Sequence, residues 1–137
     1  MSEDLNLVDK LKRELASFDT PSERGFALLT KKGKVLYSDL PSDVEQKVLL
    51  FKKSLPGLTV GSNITLLEKP RTIVVMCTSE KTLMVLRTRQ GIGVTLVKLS
   101  SIAKKYSDEF DRYLDTVRKE NKNKTAKQKK SKKPQKQ

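Results

Sequence analysis

The sequence predicts an α+β fold: a five-stranded antiparallel sheet covered by helices on both faces, in the order α-β-β-α-β-β-β-α. Three observations carry this. The runs Ile73–Cys77 and Leu83–Leu86 are apolar at every position, and a strand apolar on both faces belongs in a sheet covered on both sides. The breaks Lys31-Lys32-Gly33-Lys34, Pro70-Arg71 and Ser79-Glu80-Lys81 are short enough to make antiparallel hairpins. Apolar residues also recur at helical spacing before, between and after the strand-like runs.

Each element follows from its own residues. Leu5, Val8, Leu11, Leu15 and Phe18 recur every three or four positions and mark a first helix that stops by Thr20-Pro21. Phe26–Thr30 and Val35–Tyr37 flank the Lys31–Lys34 turn as a tight hairpin. A second helix opens after Pro41, where Ser42 and Glu45 have the S-x-x-E spacing of a capping box, and ends at Pro56-Gly57. At about 100° per residue, Val44, Val48, Phe51 and Leu55 share a stripe roughly 60° wide. Leu49 and Leu50 lie more than about 90° from it on opposite flanks. Single exposed leucines are common and need no explanation; the alternative is a second partner for this helix, another chain.

The loop Pro56–Asn63 carries two glycines. Strands are expected at Ile64–Glu68, Thr72–Thr78 and Leu83–Arg89. Leu96, Leu99, Ile102, Ala103, Tyr106, Phe110, Tyr113, Leu114 and Val117 then mark one long last helix beginning after Gly93. The expected division is a folded domain over residues 1–117 and a disordered lysine-rich tail over 118–137.

Composition excludes several classes of function. A chain of 137 residues is one domain's worth and holds a modest core. Its longest apolar run, Ile73–Cys77, is far short of the roughly 20 residues that span a bilayer. The Met-Ser-Glu-Asp start has no apolar h-region, so no secretory signal is expected. One cysteine, Cys77, cannot form an internal disulfide and fits a reducing, cytoplasmic setting; it reads as a small core residue. There is no histidine, which removes the commonest general base and metal ligand together. No carboxylate cluster suggests a metal site. Gly91-Ile92-Gly93 lacks the third glycine of a dinucleotide loop. No cofactor is implied and no enzymatic activity is expected.

The charge is unevenly placed. Residues 118–137 hold ten Lys or Arg against one Glu, while the rest holds 19 basic and 15 acidic side chains. With one alanine as its only apolar residue, the tail cannot offset the entropy of ordering. Lys122, Lys124, Lys127, Lys129, Lys130, Lys132, Lys133 and Lys136 suit a polyanion, either nucleic acid or an anionic membrane surface; a solvated tail that aids solubility is the plainer reading. No aromatic residue is interleaved for base stacking. Lysine predominates where base readout favours arginine. Gly does not follow Met1 and no Cys lies near the C-terminus, so no lipid anchor is expected.

The order of elements, with particular residues, resembles the roadblock/LC7 (dynein light-chain-like) family. The matching pieces are the Gly25-Phe-Ala-Leu-Leu strand, Gly33 in its turn, and the Val-Leu-Tyr-Ser strand leading to Leu40-Pro41. The second helix and Gly93-Val-Thr-Leu-Val-Lys-Leu at the last helix complete the match, over roughly residues 5 to 115. Longin and profilin-like folds share much of this layering. The resemblance implies strand order 2-1-5-4-3, with the second helix on one face and the terminal helices on the other. It further implies homodimers that pair the third strands edge to edge and pack the second helices together. Leu49, Leu50, Lys53, Ile64 and Leu66 are then the expected interface, which also covers an exposed strand edge. Family members act as scaffolds or regulators of small Ras-like GTPases, or as motor adaptors, without doing the chemistry. Arg71, Arg87 and Arg89 are available as orienting groups, but solvated surface is the plainer assignment for each. Two other readings stay open: a nucleic-acid-associated protein whose tail binds DNA or RNA while the domain dimerises it, and a small-ligand sensor of profilin-like shape.

Overall fold

Strands that must be covered on both sides set the architecture of this computed structural model, which describes residues 6–18, 24–68 and 70–118. The strands are β1 (Gly25–Thr30), β2 (Val35–Ser38), β3 (Asn63–Glu68), β4 (Arg71–Cys77) and β5 (Thr82–Thr88). They form one sheet in the order β2-β1-β5-β4-β3, with every neighbouring pair antiparallel. The helices are α1 (Leu7–Ala16), α2 (Ser42–Leu49), α3 (Ile92–Lys105) and α4, whose described part covers residues 107–118. The resemblance drawn from the sequence implied this strand order.

Alternation along the strands divides the core in two. Phe26, Leu28, Val74, Met76, Met84 and Leu86 point to one side, where Leu7, Val8, Leu11 and Leu15 of α1, Leu99 and Ile102 of α3, and Phe110 meet them. Ala27, Leu29, Ile73, Val75, Cys77, Leu83 and Val85 point to the other side, under Val44 and Val48 of α2 and Leu55. Each buried Val, Leu, Ile, Phe or Met among them contributes about 1.5–3 kcal/mol relative to exposure.

Helix ends depart from the expectations. Asn6 caps α1, its side chain accepting from the Asp9 N–H at 3.0 Å. The expected box of Ser42 and Glu45 does not form. Pro41, extended at φ −58° and ψ 149°, holds the N-cap position with no side-chain cap bond, and Ser42 is already helical. The Pro41 carbonyl accepts from Val44 and Glu45.

The second helix also ends earlier, at Leu49. Phe51 and Lys52 N–H groups bond three residues back, to Val48 and Leu49, which overwinds the chain and rotates Phe51 out of the inward stripe. Phe51 is 38% exposed, whereas Val44, Val48 and Leu55 are buried. A short 3₁₀ turn at Leu55–Gly57 leads on toward β3. The single long last helix is instead two, α3 and α4. α3 starts at Ile92 behind Gly91 and stops at Tyr106, which leaves helical geometry at φ −117° and ψ 19°. Leu5, the Thr20-Pro21 stop and the tail lysines lie outside the described residues.

The β1–β2 turn depends on one glycine. Gly33 sits at φ 91°, a left-handed conformation that costs residues with a Cβ about 1–2 kcal/mol. A methyl added there meets Lys52 Cγ at 3.2 Å and Leu49 Cδ2 at 3.6 Å. Gly33→Ala is therefore expected to lower stability by about 1–2 kcal/mol, measured by urea unfolding; an unchanged midpoint would contradict this account of the turn.

Candidate interaction surfaces

Among the described residues no three Cys, Asp or Glu side chains converge as a metal site. The described surfaces carry distinctive groups of side chains. Three of them stand out: an open sheet edge, a charged clasp, and a lysine-rich end.

β3 is the outer strand beside β4 and has no neighbour within the sheet on its other side. Its pleat turns Ile64 and Leu66 toward the α2 side, half-buried against that core, and leaves Leu67 65% exposed on the other. Above that edge, Lys47 of α2 pairs with Glu68, whose other oxygen lies 3.7 Å from Arg87 Nε. Arg87 is only 16% exposed and is occupied within the sheet, while Arg89 is at the surface. The Nε atoms of Arg71 and Arg87 are both buried.

The residues expected at a dimer interface are spread over this region. Leu50 is 82% exposed, and Lys53 is exposed too. Leu49 is half-buried and leans toward the β1–β2 turn, where it lines a small apolar crevice with Val35, Leu40 and Val48. That turn belongs to the sheet edge opposite β3. Leu49 thus also has an intramolecular partner.

A clasp that sequence reading missed holds the other layer. Glu14 of α1 accepts hydrogen bonds from Lys98 Nζ at 3.2 Å, Lys105 Nζ at 2.5 Å and the Tyr106 hydroxyl at 2.8 Å. Lys105 and Tyr106 favour the carboxylate and hold the Glu14 pKa down to about 2. Burial pushes the Tyr106 hydroxyl up. The break between α3 and α4 is thus bound to α1 at the residue where it occurs. Nearby, Lys10 of α1 pairs with Glu109 of α4.

The third surface gathers at the sheet end where β1 turns into β2. Lys32, Leu49, Leu50, Lys52, Lys53 and Pro56 line a shallow open depression of about 670 Å³. Lys31 is drawn inward, its ammonium donating to the Leu58 carbonyl. The adjoining β4–β5 turn is joined by the Lys31 N–H to the Lys81 carbonyl at 3.3 Å. Behind it, Ser79 Oγ donates to Asp111 Oδ1 of α4 at 2.7 Å.

No protein-family model and no curated protein matches this sequence. Solved structures do match the fold. An MglB structure with a tetrameric arrangement superposes with a TM-score of 0.57 and 16% identity, over 77% of this chain and 88% of that one. A roadblock/LC7 domain from Streptomyces avermitillis does so with a TM-score of 0.53 and 18% identity, over 74% of this chain and 99% of that one. The resemblance read from the sequence is upheld: the chain has the roadblock/LC7 fold.

The clasp sets the acid response. With the Glu14 pKa at about 2 in the folded chain against an ordinary 4.5, the pairing stabilises fully above about pH 4.5 and is lost as pH falls through 2. Glu14→Gln is expected to cost about 1 kcal/mol at neutral pH, the size of a partly solvated network. It should also flatten the fall in stability between pH 4.5 and 2. Urea unfolding at several pH values measures both, and identical acid limbs for the two proteins would refute the assignment.

Proposed function

We propose that this protein is a non-enzymatic, homodimeric scaffold or regulator of a small Ras-like GTPase, acting in the cytoplasm, with its lysine-rich tail as an auxiliary anchor. The roadblock/LC7 fold carries the reading, since the family it resembles assembles such GTPases without performing their chemistry. Self-association is supported by the open β3 edge, because an uncovered edge is a template for pairing with another chain. The tetrameric arrangement of the structurally similar MglB is in keeping with this. Ile64 and Leu66 stand behind the pairing edge, and Leu50 and Lys53 supply the α2 side of the contact. A regulator of this kind acts by shifting the populations of a GTPase's switch states. Arg87, tied to Glu68, is poorly placed to reach into a partner's nucleotide site.

Two measurements test it. Asn63→Lys with Leu67→Lys adds charges on exposed positions of β3, where pairing of two copies brings them together. Light scattering should show a monomer with an unchanged circular dichroism spectrum; a dimer that persists would overturn pairing through this edge. Affinity purification of the full chain from its source cell should recover a small GTPase, identified by mass. Recovery of nucleic acid instead, lost on deleting residues 118–137 and strongly salt-dependent, would transfer the function to the tail.

A further inference from the structure

The lysine-rich end of the sheet is built from two stretches without acidic residues. No Asp or Glu occurs from Arg24 to Ser38, or from Gln46 to Leu67. The fold brings these stretches together, because Gly33 at the tip of β1–β2 packs beside Lys52, Leu49 and Leu55. Lys32, Lys34, Lys52 and Lys53 are all exposed there. On the adjoining β4–β5 turn Glu80 and Lys81 are both exposed and balance in charge. Among the lysines stand two consecutive apolar side chains at the surface, Leu50 at 82% and Phe51 at 38% exposure. They are there because α2 overwinds after Leu49 and turns Phe51 outward.

We infer that this end of the domain is a docking face for an anionic phospholipid bilayer, with Leu50 and Phe51 entering the interface and the lysines meeting the headgroup phosphates and carboxylates. The chemistry selects this occupant over other polyanions. A nucleic-acid backbone engages the ammonium groups but gains nothing from Leu50 and Phe51, whereas a bilayer interface takes both. Lysine suits it, as a compact charge on a flexible stem that needs no planar, bidentate partner. A second basic element reinforces the choice. The segment 118–137 with its ten Lys or Arg is joined to α4, and α4 touches this same end through Asp111 and Ser79. Two separate basic elements on one chain engage an extended charged surface together, with a gain in avidity. The inference does not depend on the GTPase reading. Leu50 and Lys53 lie at the border between this face and the α2 contact proposed above, so the main reporter and the charge changes are placed at Phe51, Lys32 and Lys52.

The chain contains no tryptophan, so Phe51→Trp places a single reporter at the proposed site in the full-length protein. With vesicles of phosphatidylcholine mixed with phosphatidylserine, its emission should shift to the blue and be quenched by brominated acyl chains. Vesicles of phosphatidylcholine alone should leave it unchanged. Adding Lys32→Glu and Lys52→Glu should lower the vesicle partition coefficient about 30-fold or more, at roughly five-fold per lysine. The mass by light scattering and the circular dichroism spectrum should not change. Leu50→Trp repeats the measurement if Phe51→Trp perturbs the fold. Cosedimentation with an unshifted tryptophan would mean that the tail alone holds the membrane, and would overturn the inference. So would a shift produced by polyglutamate or duplex DNA and not by the vesicles.

Discussion

The demand that both faces of one sheet be kept from water governs the rest of this fold. β4 is buried from Thr72 to Cys77 and β5 from Thr82 to Leu86, so neither strand has a side that tolerates solvent. A sheet in aqueous surroundings with one polar face needs a single layer of cover; this one needs two. The chain meets the need by placing α2 on one face and its first helix, α1, with its last two, α3 and α4, on the other. Most other features are consequences. The β1–β2 turn lies against the chain that follows α2, where Gly33 packs beside Lys52, Leu49 and Leu55. Glu14 takes three donors because the layer of α1, α3 and α4 has to be fastened where its helices meet.

How far this was legible in the sequence depends on the range of the interactions. Strand positions were readable to within a residue or so, because short apolar runs rich in β-branched residues were bounded by turn signals that fix their length. Helix ends were not. Ser42 and Glu45 have the spacing of a capping box, yet the extended Pro41 takes the cap position first. Phe51 keeps the helical period in the sequence and loses it in the structure, since i to i−3 bonds overwind the turn. The pause at Tyr106 is invisible in the apolar pattern on either side. Its phenol is held by a carboxylate 92 residues away, and no local rule encodes such a contact.

The surfaces divide in the same way. Leu50 was legible as an outward leucine and is the most exposed large apolar side chain among the described residues. Leu49 was read as its equivalent and is not, because the neighbouring turn reaches it. The two acid-free stretches can be seen in the sequence as soon as one looks for missing charge. That they form one patch could not be, since the lysines at 32 and 52 meet only when α2 is laid across the sheet. Interaction surfaces of this kind are set by long-range contacts more than by local pattern. That is why its fold was easier to read than its contacts.

The two-sided layering also has a topographical result. The described chain begins at Asn6, capping α1, and leaves through α4 at residue 118, and both helices belong to one layer. Segments before the first and after the last therefore join the fold on the same side. The thickness of a sheet and its cover, on the order of 10 Å per layer, separates them from α2. The first and the last described helices thus share one side of the molecule, while α2 faces the other. A body shaped this way can be tethered and occupied at the same time.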